Sequence, residues 1–176
     1  STGKNVEETI QDEVDKIEVG GRNYLIGTGN GSLTYTFSGW QRYLINENQN
    51  AKVFQVSNEL LPKLTKGQTV TLSANLQNTT DTNEVGLMFM VWTSDNDNGY
   101  RQYTTLNCPG AVITPSENGR AYVTATIDVG NISGIAIALR HNTLTTEEST
   151  VIIYSVKLEI GNKPTDWTLA PEDMAT

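Results

Sequence analysis

After Gly20-Gly21 the hydrophobic repeat of this chain changes from helical spacing to strict alternation, and it does not change back. That switch constrains the fold more than any other feature, because segments with one apolar face and no helices to cover them must pack sheet on sheet. "TVTLSANLQ" places Val70, Leu72, Ala74 and Leu76 on one side and Thr71, Ser73 and Asn75 on the other. "AYVTATIDV" sets Val123, Ala125, Ile127 and Val129 against Tyr122, Thr124, Thr126 and Asp128. In "GIAIALRH", Ile135, Ile137 and Leu139 face inward, and Ala136, Ala138 and Arg140 face outward. "VIIYSVKLEI" puts Ile152, Tyr154, Val156, Leu158 and Ile160 on one side. Alternation of this kind marks antiparallel strands with one wetter face. "GLMFMVW" is apolar on both sides, with Leu87, Phe89 and Val91 opposite Met88, Met90 and Trp92. Turn signals at Lys66-Gly67, Asn98-Gly99, Pro109-Gly110, Asn118-Gly119 and Gly130-Asn131 separate the runs. Eight to ten short strands without intervening helices predict an all-β, antiparallel β-sandwich of jelly-roll type.

Ahead of the glycine pair, residues 4–18 read as a short N-terminal helix. Val6, Ile10, Val14 and Ile17 form one apolar stripe, and the last three suit d, a and d heptad positions. So short a helix is not stable alone. It is expected to be weakly anchored, or to pair with copies from other chains as an oligomerisation element. The expected organisation is residues 1–18 as a helical linker or coiled-coil end and residues 19–176 as one β-sandwich domain. The chain opens Ser1-Thr2-Gly3, without Met or a signal-peptide pattern, as either a scar of added residues or an internal cut would leave it.

Charge and motif content narrow the function. The net charge of −8 argues against a nucleic-acid backbone as partner and against an anionic membrane. Membrane insertion is not expected, since no apolar run approaches the ~20 residues of a span. A neutral or polyhydroxylated ligand fits this balance. The single cysteine, Cys108, excludes an internal disulfide and reads as a small apolar residue. With His141 the only histidine, a histidine-rich metal site is impossible. "GTGNGS" lacks the third glycine and the helix of a dinucleotide fingerprint, and no G-x-S-x-G elbow or H-E-x-x-H pair exists. Asp95 with Asp97, and Glu147 with Glu148, fall in turns and read as solvated acids. "SDNDNGY" at 94–100 resembles a calcium loop but has Ser94 at the first ligand position and Thr105 where a bidentate Glu belongs. A hairpin turn at Asn98-Gly99 accounts for it. No catalytic residue, metal or cofactor is expected.

What remains is a set of aromatic and planar polar side chains near strand ends. Sugars offer an apolar C–H face to an aromatic ring and a rim of hydroxyls to Arg, Asn, Asp and Gln. Trp92 and Arg140, with Tyr100, Arg101 and Tyr103 from the adjoining hairpin, are expected to share one sheet face floored by Ala136 and Ala138. Trp40 is a further candidate, with Tyr43 beside it. His141 has core parity and reads as structural.

Four phrases carry a resemblance: "GRNYLIGT", "FSGWQRY", "LTKGQTVTLSANLQ" and "IIYSVKLEIGNKPTDWTLAPED". Across residues 19–173 they resemble the carbohydrate-binding modules in tail and baseplate proteins of phages that infect Gram-positive bacteria. The chain is similar also to the jelly-roll binding modules linked to glycoside hydrolases. The resemblance implies non-catalytic binding of a host cell-wall or surface saccharide, location in the virion at the tail tip or baseplate, and other tail subunits as partners. It also implies that the last strand runs beside "RNYLI". The tail would then fold back with Trp167 plugging an apolar gap and Asp166 accepting backbone bonds. Enzyme-linked modules often hold a structural calcium between an early acid and an Asp of the last strand. Here Ser155 and Lys157 stand in that strand, and "GNGSL" has no acid.

Overall fold

The computed structural model describes residues 21–45, 54–80, 82–104, 113–114, 116–142 and 147–174. The expected N-terminal helix, its oligomerisation role and Cys108 lie outside the described residues.

Ten strands are found among those residues: β1 (Leu25–Ile26), β2 (Leu33–Phe37), β3 (Gln41–Ile45), β4 (Gln55–Val56), β5 (Thr69–Asn78), β6 (Val85–Thr93), β7 (Tyr100–Thr104), β8 (Asn118–Thr126), β9 (Ile132–His141) and β10 (Ser149–Ile160). Two four-stranded sheets, ordered β2-β10-β5-β8 and β3-β9-β6-β7, face each other, and β1 pairs with β4 at one end. Every pairing is antiparallel. The chain crosses between the sheets at β2–β3, β5–β6, β7–β8, β8–β9 and β9–β10. This is the connectivity of a jelly roll, as the alternating segments predict.

Between the sheets the apolar sides interdigitate. Val70, Leu72, Ala74, Leu76, Val123, Ile127, Ile135, Ile137 and Leu139 are all buried, so the parity read from β5, β8 and β9 is correct. Ala125 is only half-buried, near the end of its edge strand. Phe89 lies at the centre, fully buried and stacked on Tyr103 at 4.9 Å. Burial of one such side chain contributes roughly 1.5–3 kcal/mol.

Two sequence expectations need correction. Thr71 and Ser73 are buried as well, because the C-terminal tail covers their side of β5. Along β10 the register shifts between Tyr154 and Lys157, where Ser155 adopts a left-handed φ of 52°. This bulge reverses the inward side. Val151 and Ile153 point into the core before it, and Val156 and Leu158 after it, while Ile152 and Tyr154 face outward. Placing Ile152 and Tyr154 with Val156 assumed a continuous strand.

The tail joins the two ends of the domain. Tyr24 N donates to Leu158 O at 2.8 Å, and Asn23 bonds Val156 O and Thr168 O. Arg22 pairs with Glu172 at 2.7 Å and Glu59 at 2.6 Å, and Gly27 N donates to Asp173 at 2.8 Å. Trp167 is half-buried, and its Nε1 donates to Thr28 Oγ1 at 3.1 Å. The opening "GRNYLIGT" and closing "TDWTLAPED" phrases are therefore two halves of one contact. The turn acid is Glu159 rather than Asp166: its carboxylate accepts from Thr165 N and Thr165 Oγ1. Asp166 instead offers its carbonyl to the buried Lys157 ammonium at 2.8 Å.

Candidate functional site

The outer face of β3-β9-β6-β7 is built in rows by strand register. Gln41, Arg140 and Gly86 form one row, and Tyr43, Ala138, Met88 and Thr104 the next. Ala136, Met90 and Gln102 follow, and then Gly134, Trp92 and Tyr100. Six residues of β6 separate the first row from the last, about 20 Å at strand rise. The outer positions of β6 and β9 are apolar as well, so they form a second cluster of Met88, Met90, Ala136 and Ala138, all buried. Tyr43, Trp92 and Tyr100 pack around it, with Trp92 and Tyr100 edge to face at 6.3 Å.

A cavity of about 380 Å3 is lined by Trp40, Gln41 and Gln102. Gln41 and Gln102 stand on the two edge strands of this sheet. Trp40 is exposed, at 46%. Gln41 Nε2 donates to Tyr43 Oη at 2.7 Å, and burial pushes the Tyr43 hydroxyl above its ordinary pKa.

Two buried donors on this face have no hydrogen-bond partner among the described residues. Trp92 Nε1 is one and Arg140 Nη2 is the other. The Arg140 side chain is only 3% exposed. Its Nε donates to His141 O at 3.0 Å, and its guanidinium lies 5.2 Å from the centre of the Trp40 ring. Burial alone lowers its pKa. Beneath it, His141 stacks on Phe37 at 4.5 Å, with Nδ1 donating to Gly39 O and Nε2 accepting from Ser149 Oγ. As its core parity indicates, His141 is a structural residue that fixes the Gly39-Trp40 backbone, and His141 N donates to Trp40 O at 2.9 Å.

Of the six residues singled out in sequence, the structure brings Trp92, Arg140, Tyr100 and Trp40 to this face. Arg101 and Tyr103 are elsewhere. The hairpin at Asn98-Gly99 pairs Tyr100 with Trp92, so Arg101 and Tyr103 fall opposite Val91 and Phe89 and point to the core side. Tyr103 is 3% exposed and donates to Asp128 at 2.6 Å, while Arg101 covers its ring at 4.6 Å and meets Asp128 at 3.2 Å. Grouping all four β6 and β7 candidates on one face ignored the alternation of a strand. Gln41 and Gln102 were missed, although the same alternation, applied from Tyr43 and Tyr100, would have found them.

A second cavity, of about 510 Å3, lies on the other sheet between β10 and the tail, lined by Tyr154, Ile152, Gln77, Trp167 and the 28–32 loop. Among the described residues no group of three or more His, Cys, Asp or Glu could hold a metal.

No family model matches the sequence, and no curated protein matches it. Among solved structures the chain is similar to the tripod from the baseplate of bacteriophage Tuc2009, with a TM-score of 0.52 and 12% identity, over 89% of this chain and 61% of that one. It thus spans less than two thirds of that chain. The CBM22-1 xylan-binding domain of Paenibacillus barcinonensis Xyn10C aligns with a TM-score of 0.40 and 11% identity, over 84% of this chain and 99% of that one. A carbohydrate-binding module of the β-sandwich superfamily aligns with a TM-score of 0.41 and 12% identity, over 80% and 62%. The likeness to the tripod is one of fold.

Proposed function

We propose that this chain is a non-catalytic module that binds a host cell-wall or surface saccharide as part of a phage tail or baseplate. The observation that carries the reading is the outer face of β3-β9-β6-β7. It has an apolar floor, aromatic rings at both ends and two buried donors without acceptors. Leaving a buried donor unpaired costs about 1–3 kcal/mol, so two of them on one face support a ligand that completes them. Saccharide hydroxyls supply acceptors, and the flat C–H faces of the rings suit Trp92, Trp40 and Tyr43. The fold likeness to a baseplate tripod supports a virion location, with other tail subunits as neighbours. Affinity of one site would be weak, and many copies on a virion would compensate through avidity.

The test is calorimetric titration with purified cell-wall polysaccharide from Gram-positive bacteria. Trp92→Ala or Arg140→Ala should lower affinity at least about tenfold, which is ~1.4 kcal/mol, with circular dichroism unchanged. The rival reading is an architectural module that spaces a baseplate without binding glycan. It stands if folded parent protein binds no polysaccharide.

A further inference from the structure

We infer that the saccharide bound on this face carries an anionic group, a carboxylate or a phosphodiester, and that this group seats on Arg140. The inference rests on the binding reading above and names the class of ligand.

Arg140 is the anomaly among the buried cations of the described residues. Acids outnumber Lys and Arg by 20 to 12, so partners are not scarce. Arg22 has Glu59 and Glu172, Arg101 has Asp128, and the buried Lys157 ammonium lies 4.0 Å from Glu159. Arg120, half-buried on the other sheet, bonds Asn75 Oδ1, Ser73 Oγ and Ser155 O and lies in the field of Glu159 and Asp166. Arg140 is less exposed than Arg22, Arg101 or Arg120, yet no carboxylate among the described residues meets it. One carbonyl and the face of Trp40 are its only partners among the described residues.

A buried guanidinium stays charged, and taking an unpaired charge from water is expensive. A water molecule or a sugar hydroxyl would satisfy the Nη2 hydrogen bond but would not compensate the charge. An oxyanion does both, and guanidinium nitrogens meet carboxylate and phosphate oxygens in matched geometry. The local demand differs in sign from the protein as a whole. An anionic polymer is repelled by the net charge of −8 at a distance, but that repulsion is screened beyond about 8 Å at physiological salt. The Met–Ala floor beside Arg140 lowers the local dielectric, which strengthens the pairing once the group is seated.

The test has two arms, read by NMR on the folded chain through the Arg140 Nε–H and Trp92 Nε1–H signals. In the first, inorganic phosphate and acetate are titrated alone. Saturable shifts of the Arg140 signal are expected with at least one of them, and silence with both overturns the inference. In the second, oligogalacturonate is compared with its methyl ester, which keeps the backbone and removes the charge, and with a polymer of glycerol phosphate. One of the anionic forms should bind at least about tenfold more tightly than the ester, and Arg140→Gln should abolish that preference. Which anionic form wins identifies the carboxylate or the phosphodiester. If the neutral ester binds as tightly as both anionic polymers, the anion inference falls and saccharide binding stands. If inorganic anions shift Arg140 but no polymer shifts Trp92, the saccharide reading falls and the anion site stands.

Discussion

The two outer faces of this sandwich carry polar side chains on different terms. On β2-β10-β5-β8 the polar groups find one another. Thr71 bonds Thr124 at 2.8 Å, Thr69 bonds Thr126 at 2.9 Å, Thr36 bonds Thr150 at 2.9 Å, and Arg120 spans three acceptors across β5 and β10. Lys157 and Glu159, fully buried beneath the tail, are tied to Thr165 and to the Asp166 carbonyl. On β3-β9-β6-β7 the floor is apolar, and Trp92 and Arg140 each keep an unpaired buried donor. Among the described residues two other buried atoms lack partners, Arg22 Nε and Asn142 Oδ1, but the rest of each group is held, by Glu59 and Glu172 and by Glu84. The contrast teaches that polarity alone does not mark a binding face. A polar surface whose groups are mutually satisfied holds the fold together, while one whose groups are left wanting is the face proposed above to meet a ligand.

The largest effect should come from breaking the satisfied face. Lys157→Met removes the ammonium from beside a fully buried Glu159 and from two acceptors of the tail. Stranding a buried charge in this way costs about 3–5 kcal/mol. Arg140→Met, by contrast, replaces an already uncompensated buried cation by a side chain that suits the Met–Ala floor. It should leave stability unchanged or raise it by about 1 kcal/mol. Urea unfolding of the two variants beside the parent measures both. Equal losses would show that Arg140 supports the fold, and the contrast between the faces would collapse.

Titration sharpens the same comparison at smaller amplitude. Burial, together with its bond to Asp128, pushes the Tyr103 hydroxyl up to about 12 from an ordinary value of 10.0. The hydrogen bond from Tyr103, aided by Arg101, holds Asp128 below its ordinary value of 3.8. The signs are opposite. A raised Tyr103 contributes stability that is complete below pH 10 and is lost as pH rises toward 12. A depressed Asp128 contributes stability present above its ordinary pKa and lost as pH falls through its lower folded value. The urea midpoint should therefore drop at both extremes, and Tyr103→Phe should flatten both limbs. In Arg140→Met both limbs should persist. A Tyr103→Phe profile parallel to that of the parent would separate this pair from folding.

How much of this was legible in the sequence follows from where alternation holds. β5, β8 and β9 run without interruption, so Val70 through Leu76 and Ile135 through Leu139 read correctly from parity alone. β10 does not, because a serine at φ 52° carries no sequence signature comparable to a glycine in that conformation. Everything before Ser155 was therefore assigned to the wrong side. The face was readable where Trp92 and Arg140 sit in regular strands, and misread at Arg101 and Tyr103, where residue type was allowed to outweigh position. The orphaned state of Arg140 Nη2 could not be read at all. It depends on which acceptors the described residues of β3, β6 and β9, far apart in the chain, bring to it.

The smallest expected effect is also the sharpest test of the contrast. The cavity beside Tyr154 is larger than the one beside Trp40, about 510 Å3 against about 380 Å3, and Tyr154 is 38% exposed. By size and by an available ring it is the better saccharide site. By hydrogen bonding it is the worse one. Trp167 Nε1 is already satisfied by Thr28, Ser155 O by Arg120, and none of the buried side-chain atoms left without a partner belongs to its lining. Nothing there waits for an acceptor, and its aromatic edge is committed to holding the tail against the 28–32 loop. Tyr154→Ala should thus change polysaccharide affinity by less than about twofold, or ~0.4 kcal/mol. Because the side chain is an outward one, stability should shift by no more than about 0.5 kcal/mol. A tenfold loss in Tyr154→Ala, with Trp92→Ala binding as the parent does, would invert the assignment. Ring exposure and cavity size, rather than unsatisfied donors, would then be the features that identify the binding face.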